Sequence, residues 1–267
     1  MKFVSLNTWG GRCGLALIRW LQEIQADIYC LQEVFRAPQM PSPTVPDGEG
    51  KTIDANLFGT LQQALPTYHG WFSAGSRGYI NDSTWLELPL EYGIALFIHP
   101  SFSVTAQRSQ LVHGEFRLDK QGSPPLSRTA QVIRCVRGEC EFTIGHLHGL
   151  WQPTGKQDSP QRIQQAHRFR NVLESVARPN EALLACGDLN LLPDSATFEI
   201  LGKLGLEDLN QRFNIHCTRS SLYKKPVRYA DYMLANRYVK VDDFTVVKHP
   251  EISDHSPLVL QADLLRS

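Results

Sequence analysis

No apolar run in this 267-residue chain is long enough to cross a bilayer, which excludes a helical membrane span. An excess of charge of one sign is missing too. The 27 Lys and Arg residues balance the 27 Asp and Glu residues, so a basic nucleic-acid-binding surface over the whole protein is excluded and only a local patch is left open. Cysteine pairs are absent. The six cysteines, Cys13, Cys30, Cys135, Cys140, Cys186 and Cys217, form no CxxC spacing, which removes a structural zinc site. Cys30 and Cys186 sit inside apolar runs, where a free thiol behaves as a small hydrophobe. The first residues, MKFVSLNTWGG, lack the apolar stretch and small-residue cleavage site of a secretory signal. These absences fit a reduced, cytoplasmic protein with no membrane span. Internal repeats, low-complexity tracts and polar linkers are also lacking, so residues 1–267 read as one domain. What is present is ordinary globular composition, 42% hydrophobic and 20% charged.

Residues 2–8 alternate as a strand does and stop at Trp9-Gly10-Gly11. Residues 15–26 carry apolar side chains at helical spacing, and Ile28 to Val34 is a second apolar run, so the opening reads strand, helix, strand. Residues 36–54 hold four prolines and read as one long loop. A short helix at 56–65 ends at Pro66. Strands are expected at 71–74, 93–99, 103–111, 129–137 and 141–150, the last two joined by a Gly138-Glu139 turn. The clearest helix runs over 160–177, with Ser159 as its cap and Pro160 in its first turn. A strand within Ala182 to Pro193 that carries Asp188 and Asn190 at its end, a helix near 195–204 and strands at 229–235, 242–248 and 257–262 complete an α/β pattern, most simply two packed sheets with helices outside.

Several of these apolar strands end in polar residues that do not belong in a core. Asn7 ends the first and Glu33 the second; His146 and His148 end FTIGHLHG, and Asp188 and Asn190 end ALLACGDLN. Asp231 opens the strand ADYMLAN, and Asp254-His255 precede SPLVLQ. Any one of them has a plain structural reading as a turn former or a solvated strand end. Together they have the contents of a hydrolytic site: carboxylate and amide oxygens suited to Mg²⁺ or Mn²⁺, and imidazoles suited to acid–base and charge-stabilising work on phosphate. Strand alternation places Asp188 and Asn190 on one face, and His146 and His148 on one face.

In this order the motifs Asn7, LQEV, HLH, GDLN, DY and SDH resemble the endonuclease/exonuclease/phosphatase superfamily, whose fold is that of pancreatic deoxyribonuclease, over almost the whole chain. The resemblance implies a four-layer α/β sandwich, two mixed β-sheets face to face with helices on the outer sides. It implies that Glu33 is the principal metal ligand, with Asn7 beside it and Asp254 as a further metal-side carboxylate, for Mg²⁺ or Mn²⁺. It implies that Asp188 orients or deprotonates the attacking water and that Asn190 contacts the phosphate. His255 would bind the scissile phosphate with Asp231 bonded to it. The family pattern Asn-x-His puts His148 in the catalytic position and His146 where Asn is usual, although an alignment on His-Leu favours His146; His148 is the reading adopted, with His146 near the substrate.

Arg128, Lys156 and Arg162 are further candidates for substrate phosphate contacts. Specificity is expected from loops at 36–54, 75–91, 112–127, 150–160 and 212–228. The last interleaves Arg212, Arg219, Lys224, Lys225 and Arg228 with Phe213 and Tyr223, which suits a nucleic acid or nucleotide. The expected activity is a metal-dependent phosphoesterase acting on nucleic acid, a nucleotide or another soluble phosphate ester, with no protein partner evident. The alternatives are a non-catalytic phosphate-ligand-binding protein on the same scaffold and a sphingomyelinase-like lipid phosphodiesterase.

Overall fold

The computed structural model describes residues 1–40, 43–48, 50–78, 88–116 and 127–265. The chain opens with β1 (Lys2–Asn7), a 3-10 turn (Trp9–Gly11), α1 (Leu15–Ile24) and β2 (Ile28–Arg36). Then come β3 (Thr44–Pro46), β4 (Thr52–Asp54), α2 (Leu57–Ala64), β5 (His69–Arg77), β6 (Glu91–Ile98) and β7 (Ser103–His113). The second half holds β8 (Arg128–Arg137), β9 (Cys140–His148), α3 (Pro160–Glu174), β10 (Ala182–Asp188) and α4 (Thr197–Gly202). It closes with β11 (Glu207–Asp208), α5 (Leu209–Arg212), β12 (Asp231–Ala235), β13 (Val239–Val246) and β14 (Leu258–Leu264). Residues 36–54 are therefore not one open loop, because β3 and β4 pair within them. The loops expected at 75–91 and 112–127 lie in part outside the described residues.

Two six-stranded sheets form, ordered β13-β14-β1-β2-β6-β5 and β11-β12-β10-β9-β8-β7. Each has one parallel pair at its centre, β1 with β2 and β9 with β10, and the other pairings are antiparallel. Each parallel pair is joined through a helix, as parallel neighbours require a crossover. The α3 crossover starts where the sequence marks it: the Ser159 side chain accepts from the Arg162 backbone N–H, and Pro160 occupies the first turn. Among the described helices none is long and apolar enough to cross a membrane.

Alternation along the strands builds three apolar layers. Phe3, Ile28, Ile133, Phe142, Ile144, Leu184 and Leu258 fill the space between the sheets. Val4, Leu6, Tyr29 and Leu31 face the other way and pack with Leu17 and Leu21 of α1. Val132, Leu147, Leu183 and Ala185 pack likewise with Phe169 and Leu173 of α3. The result is the four-layer α/β sandwich, with its two mixed sheets face to face.

The inner face changes character along the strands. In register, β1 runs Phe3, Ser5, Asn7; β9 runs Phe142, Ile144, His146, His148; β10 runs Leu184, Cys186, Asp188. Each row is apolar at one end and polar at its carboxyl end. Both parallel pairs end on the same side, and crevices at the carboxyl ends of parallel strands are where α/β sheets place ligands. The polar ends therefore meet.

Candidate active site

Glu33 reaches the cavity through a fault in its strand. The β2–β6 register slips between Gln32 and Val34, leaving Glu33 as the extra residue of a bulge with φ of 53°. Bulges re-aim a side chain, and a positive φ at a non-glycine residue is strain that the surroundings must hold. Opposite the bulge sits Gly93, where an added Cβ would come within 2.0 Å of the Ser73 carbonyl oxygen, so only glycine fits there. Asn7 ties the two sheets together at this level. Its Nδ2 donates to Glu33 Oε1 at 2.9 Å and to Asp188 Oδ2 at 3.0 Å. Its Oδ1 accepts the Trp9 backbone N–H at 2.9 Å. One lone pair of the oxygen that the resemblance assigns to metal binding is thus taken by the backbone, and the amide nitrogen positions the two carboxylates.

Asp188 and Asn190 do come together, but not by alternation. The strand ends at Asp188, and Asn190 turns away with φ of 54°. Its backbone N–H folds back to Asp188 Oδ1 at 3.1 Å, and its Nδ2 donates to the Gly149 carbonyl at 3.3 Å. The expectation failed because Asn stabilises a left-handed turn at low cost, which ends the strand before its next alternate position. The turn needs Gly149 alongside, since a Cβ there would approach the Leu189 carbonyl oxygen to 2.2 Å.

Around Asp188 Oδ2 stand two imidazoles. His148 Nε2 lies 3.6 Å away and His255 Nε2 lies 3.5 Å away. His148 is held from behind by the Tyr92 hydroxyl, 3.1 Å from Nδ1. His255 Nδ1 faces both Asp231 oxygens at 2.8 and 2.9 Å. The Asp254-His255 segment is fixed from both flanks: Ser253 Oγ donates to the Asn7 carbonyl at 2.7 Å, and the Ser220 N–H donates to the Asp254 carbonyl at 3.1 Å.

The charges are strongly coupled. Burial works to raise the Asp188 carboxyl, yet His255, His148, Arg219 and Lys156 around it hold it well below the usual carboxylate range. Burial and Arg219 push His255 down, but Asp231, Asp254 and Asp188 outweigh them and its pKa is raised. Burial, then Arg128, lowers His148 well below an ordinary histidine. Burial brings Lys156 down to about 8. The Glu33 carboxyl is raised, chiefly by burial, against the opposing pull of Arg12.

One cavity of about 240 Å³ collects Glu33, His148, Lys156, Asp188, Asn190, Asp254 and His255, with Trp9, Arg12, Trp151, Arg219, Tyr223 and Lys225 around them. Asp231 stands behind His255. Three predicted contacts do not line it. His146 is fully buried beneath it, taking the Gln32 amide at Nδ1 (3.2 Å) and facing Gln131 Oε1 at Nε2 (2.7 Å). Arg162 spends its guanidinium on the carbonyls of Leu150, Gly155 and Gln157, so it shapes the 150–157 loop. Arg128 is buried in a separate small cavity behind His148. Conversely, Tyr92, Trp9, Trp151 and Arg219 enter the site without having been assigned a role. Arg219 alone carried a signal, as one cation in a basic, aromatic loop.

The donor set fits a hard divalent cation. Among the described residues Asp254 Oδ1 is buried with no hydrogen-bond partner, and Glu33 offers a second carboxylate in the same cavity. Ligand atoms of Asp188, Asp231 and His255 also lie within 4.8 Å of one another. That trio is already committed, because His255 Nδ1 is paired with Asp231 and Asp188 receives Asn7 and Asn190.

A sequence model described as the Endonuclease/Exonuclease/phosphatase family matches residues 4–255. Among solved structures, the chain is similar to an endonuclease/exonuclease/phosphatase from Beutenbergia cavernae, with 17% identity, TM-score 0.71, and 99% of this chain and 72% of that one covered. It is similar to a mannosyl-6-phosphatase from Bacteroides thetaiotaomicron, with 14% identity, TM-score 0.66, and 99% and 100% covered. It is similar as well to the human Nocturnin catalytic domain solved with a sulfate anion, with 17% identity, TM-score 0.61, and 99% and 93% covered. No curated protein matches the chain at a significant level.

Proposed function

The chain belongs to the endonuclease/exonuclease/phosphatase family of phosphate-ester hydrolases, and we propose that it is a divalent-metal-dependent phosphoesterase in which a positioned water displaces the alcohol from phosphorus. The observation that carries this reading is the Asp188 carboxylate held between the Nε2 atoms of His148 and His255 at 3.6 and 3.5 Å, in the cavity that Glu33 and Asp254 also line. Glu33 and Asp254 would hold Mg²⁺ or Mn²⁺, which when bound neutralises charge on the phosphate and its transition state.

The chain's own groups divide the remaining work. Asp188 is too weak a base to take a proton early, since the cations around it stabilise its ionised form. Its role is to aim the water, with Asn7 and the Asn190 N–H fixing the direction of its oxygens. His255, oriented by Asp231, presents Nε2 to a phosphate oxygen as a charged donor, and Asn190 and Lys156 add donors on the same side. His148, propped by Tyr92, faces the same space. Such preorganised donors accelerate the reaction without reorganising during it. The soluble classes named at the outset, nucleic acid, nucleotide or another phosphate ester, remain the substrates to assay.

The test is a panel of single- and double-stranded DNA, RNA, nucleotides, inositol phosphates and sphingomyelin with purified protein in Mg²⁺ or Mn²⁺. Hydrolysis of at least one substrate is expected, and loss of that activity in Glu33→Ala and His255→Ala with the circular dichroism spectrum unchanged. Full activity in either folded variant would sink the assignment.

A further inference from the structure

We propose that Arg219 is a substrate-contacting arginine that takes the third non-bridging oxygen of a terminal phosphate, making the site selective for phosphomonoesters over diesters; this rests on the phosphoesterase reading above.

The side chain is only 6% exposed and lines the catalytic cavity. Its Nη1 donates to Asp254 Oδ2 at 3.1 Å and lies against His255 Nε2. Its guanidinium carbon lies 4.1 Å from the centre of the Tyr223 ring, which supports one face of the plane. Its Nε is buried with no hydrogen-bond partner among the described residues. A buried N–H of a charged group left unmatched is costly, and beside a phosphate site the natural acceptor is a phosphate oxygen. The guanidinium fork matches that geometry, which an ammonium does not.

The backbone carrying Arg219 is clamped. Residue 219 forms an antiparallel bridge with His255, and the Ser256 N–H donates to the Thr218 carbonyl at 2.9 Å. Arg228 Nη2 holds the carbonyls of Arg219 and Ser220 at 3.2 and 2.7 Å. Lys248 Nζ reaches the Cys217 carbonyl at 2.8 Å. A cation this well supported is built into the site before any substrate arrives.

The selectivity follows from counting acceptors. A terminal phosphate carries three non-bridging oxygens and, near neutral pH, two charges; a diester carries two oxygens and one charge. The Glu33–Asp254 side of the cavity, through its cation, and the His255–Asn190 side each use one oxygen, which a diester can satisfy. A diester offers Arg219 only an oxygen shared with those groups, whereas a monoester offers a third oxygen and a second charge. The cavity lining also carries four cationic side chains against three carboxylates, before any metal is counted, which favours the dianion.

The experiment compares p-nitrophenyl phosphate with methyl p-nitrophenyl phosphate, which share a leaving group, in the wild type, Arg219→Met and Arg219→Lys with Mg²⁺ or Mn²⁺. A charge-assisted hydrogen bond predicts that Arg219→Met costs about 10–100-fold more in kcat/KM on the monoester than on the diester. Arg219→Lys should recover part of that difference. Calorimetric titration of the same proteins with inorganic phosphate and dimethyl phosphate gives a readout without turnover: phosphate binding should weaken about tenfold or more in Arg219→Met, and dimethyl phosphate binding should stay within about twofold. Equal losses on both esters together with unchanged phosphate binding would overturn the proposal while leaving the phosphoesterase reading standing. A wild type that cleaves neither ester nor any panel substrate would overturn that reading, and the titrations would still decide the role of Arg219. If Arg219→Met does not fold, Arg219→Lys is judged by the same ester difference and the same titrations.

Discussion

His146 and His148 stand two residues apart on one face of β9, at two levels of the molecule. The lower level, between the sheets, is neutral and closed: Gln32 donates to His146 Nδ1, His146 Nε2 faces Gln131 Oε1, and Gln131 Nε2 in turn donates to Ser73 Oγ and the Trp71 carbonyl. These bonds fit one neutral tautomer. The upper level is charged and open: His148 faces Asp188, and the Asp254 and Arg219 atoms left unmatched lie beside it. The same side chain is a hydrogen-bonded spacer in one level and lines the cavity in the other. The difference is made by the partners across the sheets, which is why depth along the strand, not residue type, separates structure from chemistry here.

The strongest way to break this comparison is at Asp188, the centre of the upper level. Asp188→Asn keeps the shape but loses the charge that aims the water, so kcat should fall about 10²-fold or more, the cost of a misplaced reacting group. Far-ultraviolet dichroism should stay native. A loss of only a few fold in steady-state kinetics would mean that another residue positions the nucleophile and that the upper level is misassigned.

The lower level should respond in stability instead. Burial lowers the His146 pKa to about 3 from an ordinary 6.5. Above pH 6.5 neither folded nor unfolded protein protonates it. Between 6.5 and 3 the unfolded chain takes a proton that the folded one refuses, so stability falls as pH falls, by up to about 1.4 kcal/mol per pH unit. His146→Gln should make that limb shallower in urea titrations from pH 7 to 4, with His148, also lowered by burial, supplying part of what is left. His146→Ala leaves Gln32 and Gln131 unmatched and should cost about 2–4 kcal/mol at pH 7.5. Activity per folded molecule should change far less than in Asp188→Asn. An unchanged acid limb in His146→Gln would show that the lower level is not closed to protons.

Much of this was legible from order and alternation. The apolar rows, the Ser159 cap and the Gly138-Glu139 hairpin, where Arg137 pairs with Cys140, are local patterns, and local physics sets them. The polar strand ends were readable as a set because each violates the burial expected of its own strand. What stayed hidden depends on partners distant in sequence. Tyr92 is 56 residues from His148, and no spacing rule links them. The bulge at Glu33 requires Gly93 on another strand. Nothing local tells that Asn7 braces Glu33 and Asp188 from two different sheets, and Arg162 looks like a phosphate contact until three carbonyls claim its guanidinium. Arg219 lay in a basic, aromatic loop that suits a nucleic acid or nucleotide, but composition does not say which cation enters the site; the antiparallel bridge to residue 255 places Arg219 there.

Lys156 gives the smallest and most diagnostic effect, because it joins the two kinds of behaviour in one side chain. It lines the charged cavity, yet it is buried and its Nζ is tied to the Tyr229 carbonyl. Burial brings its pKa to about 8, below the ordinary 10.5. The folded protein therefore releases this proton near pH 8 while the unfolded chain keeps it to about 10.5, and across that window stability rises with pH. Activity should move the other way, since the cation that helps hold the phosphate is lost: kcat/KM should decline above pH 8 by about tenfold, the worth of one charge-assisted contact. In Lys156→Met the decline should vanish and the activity below pH 8 should already be at the lower level. A high-pH limb that survives in Lys156→Met would assign the titration to another group and remove Lys156 from the phosphate's surroundings.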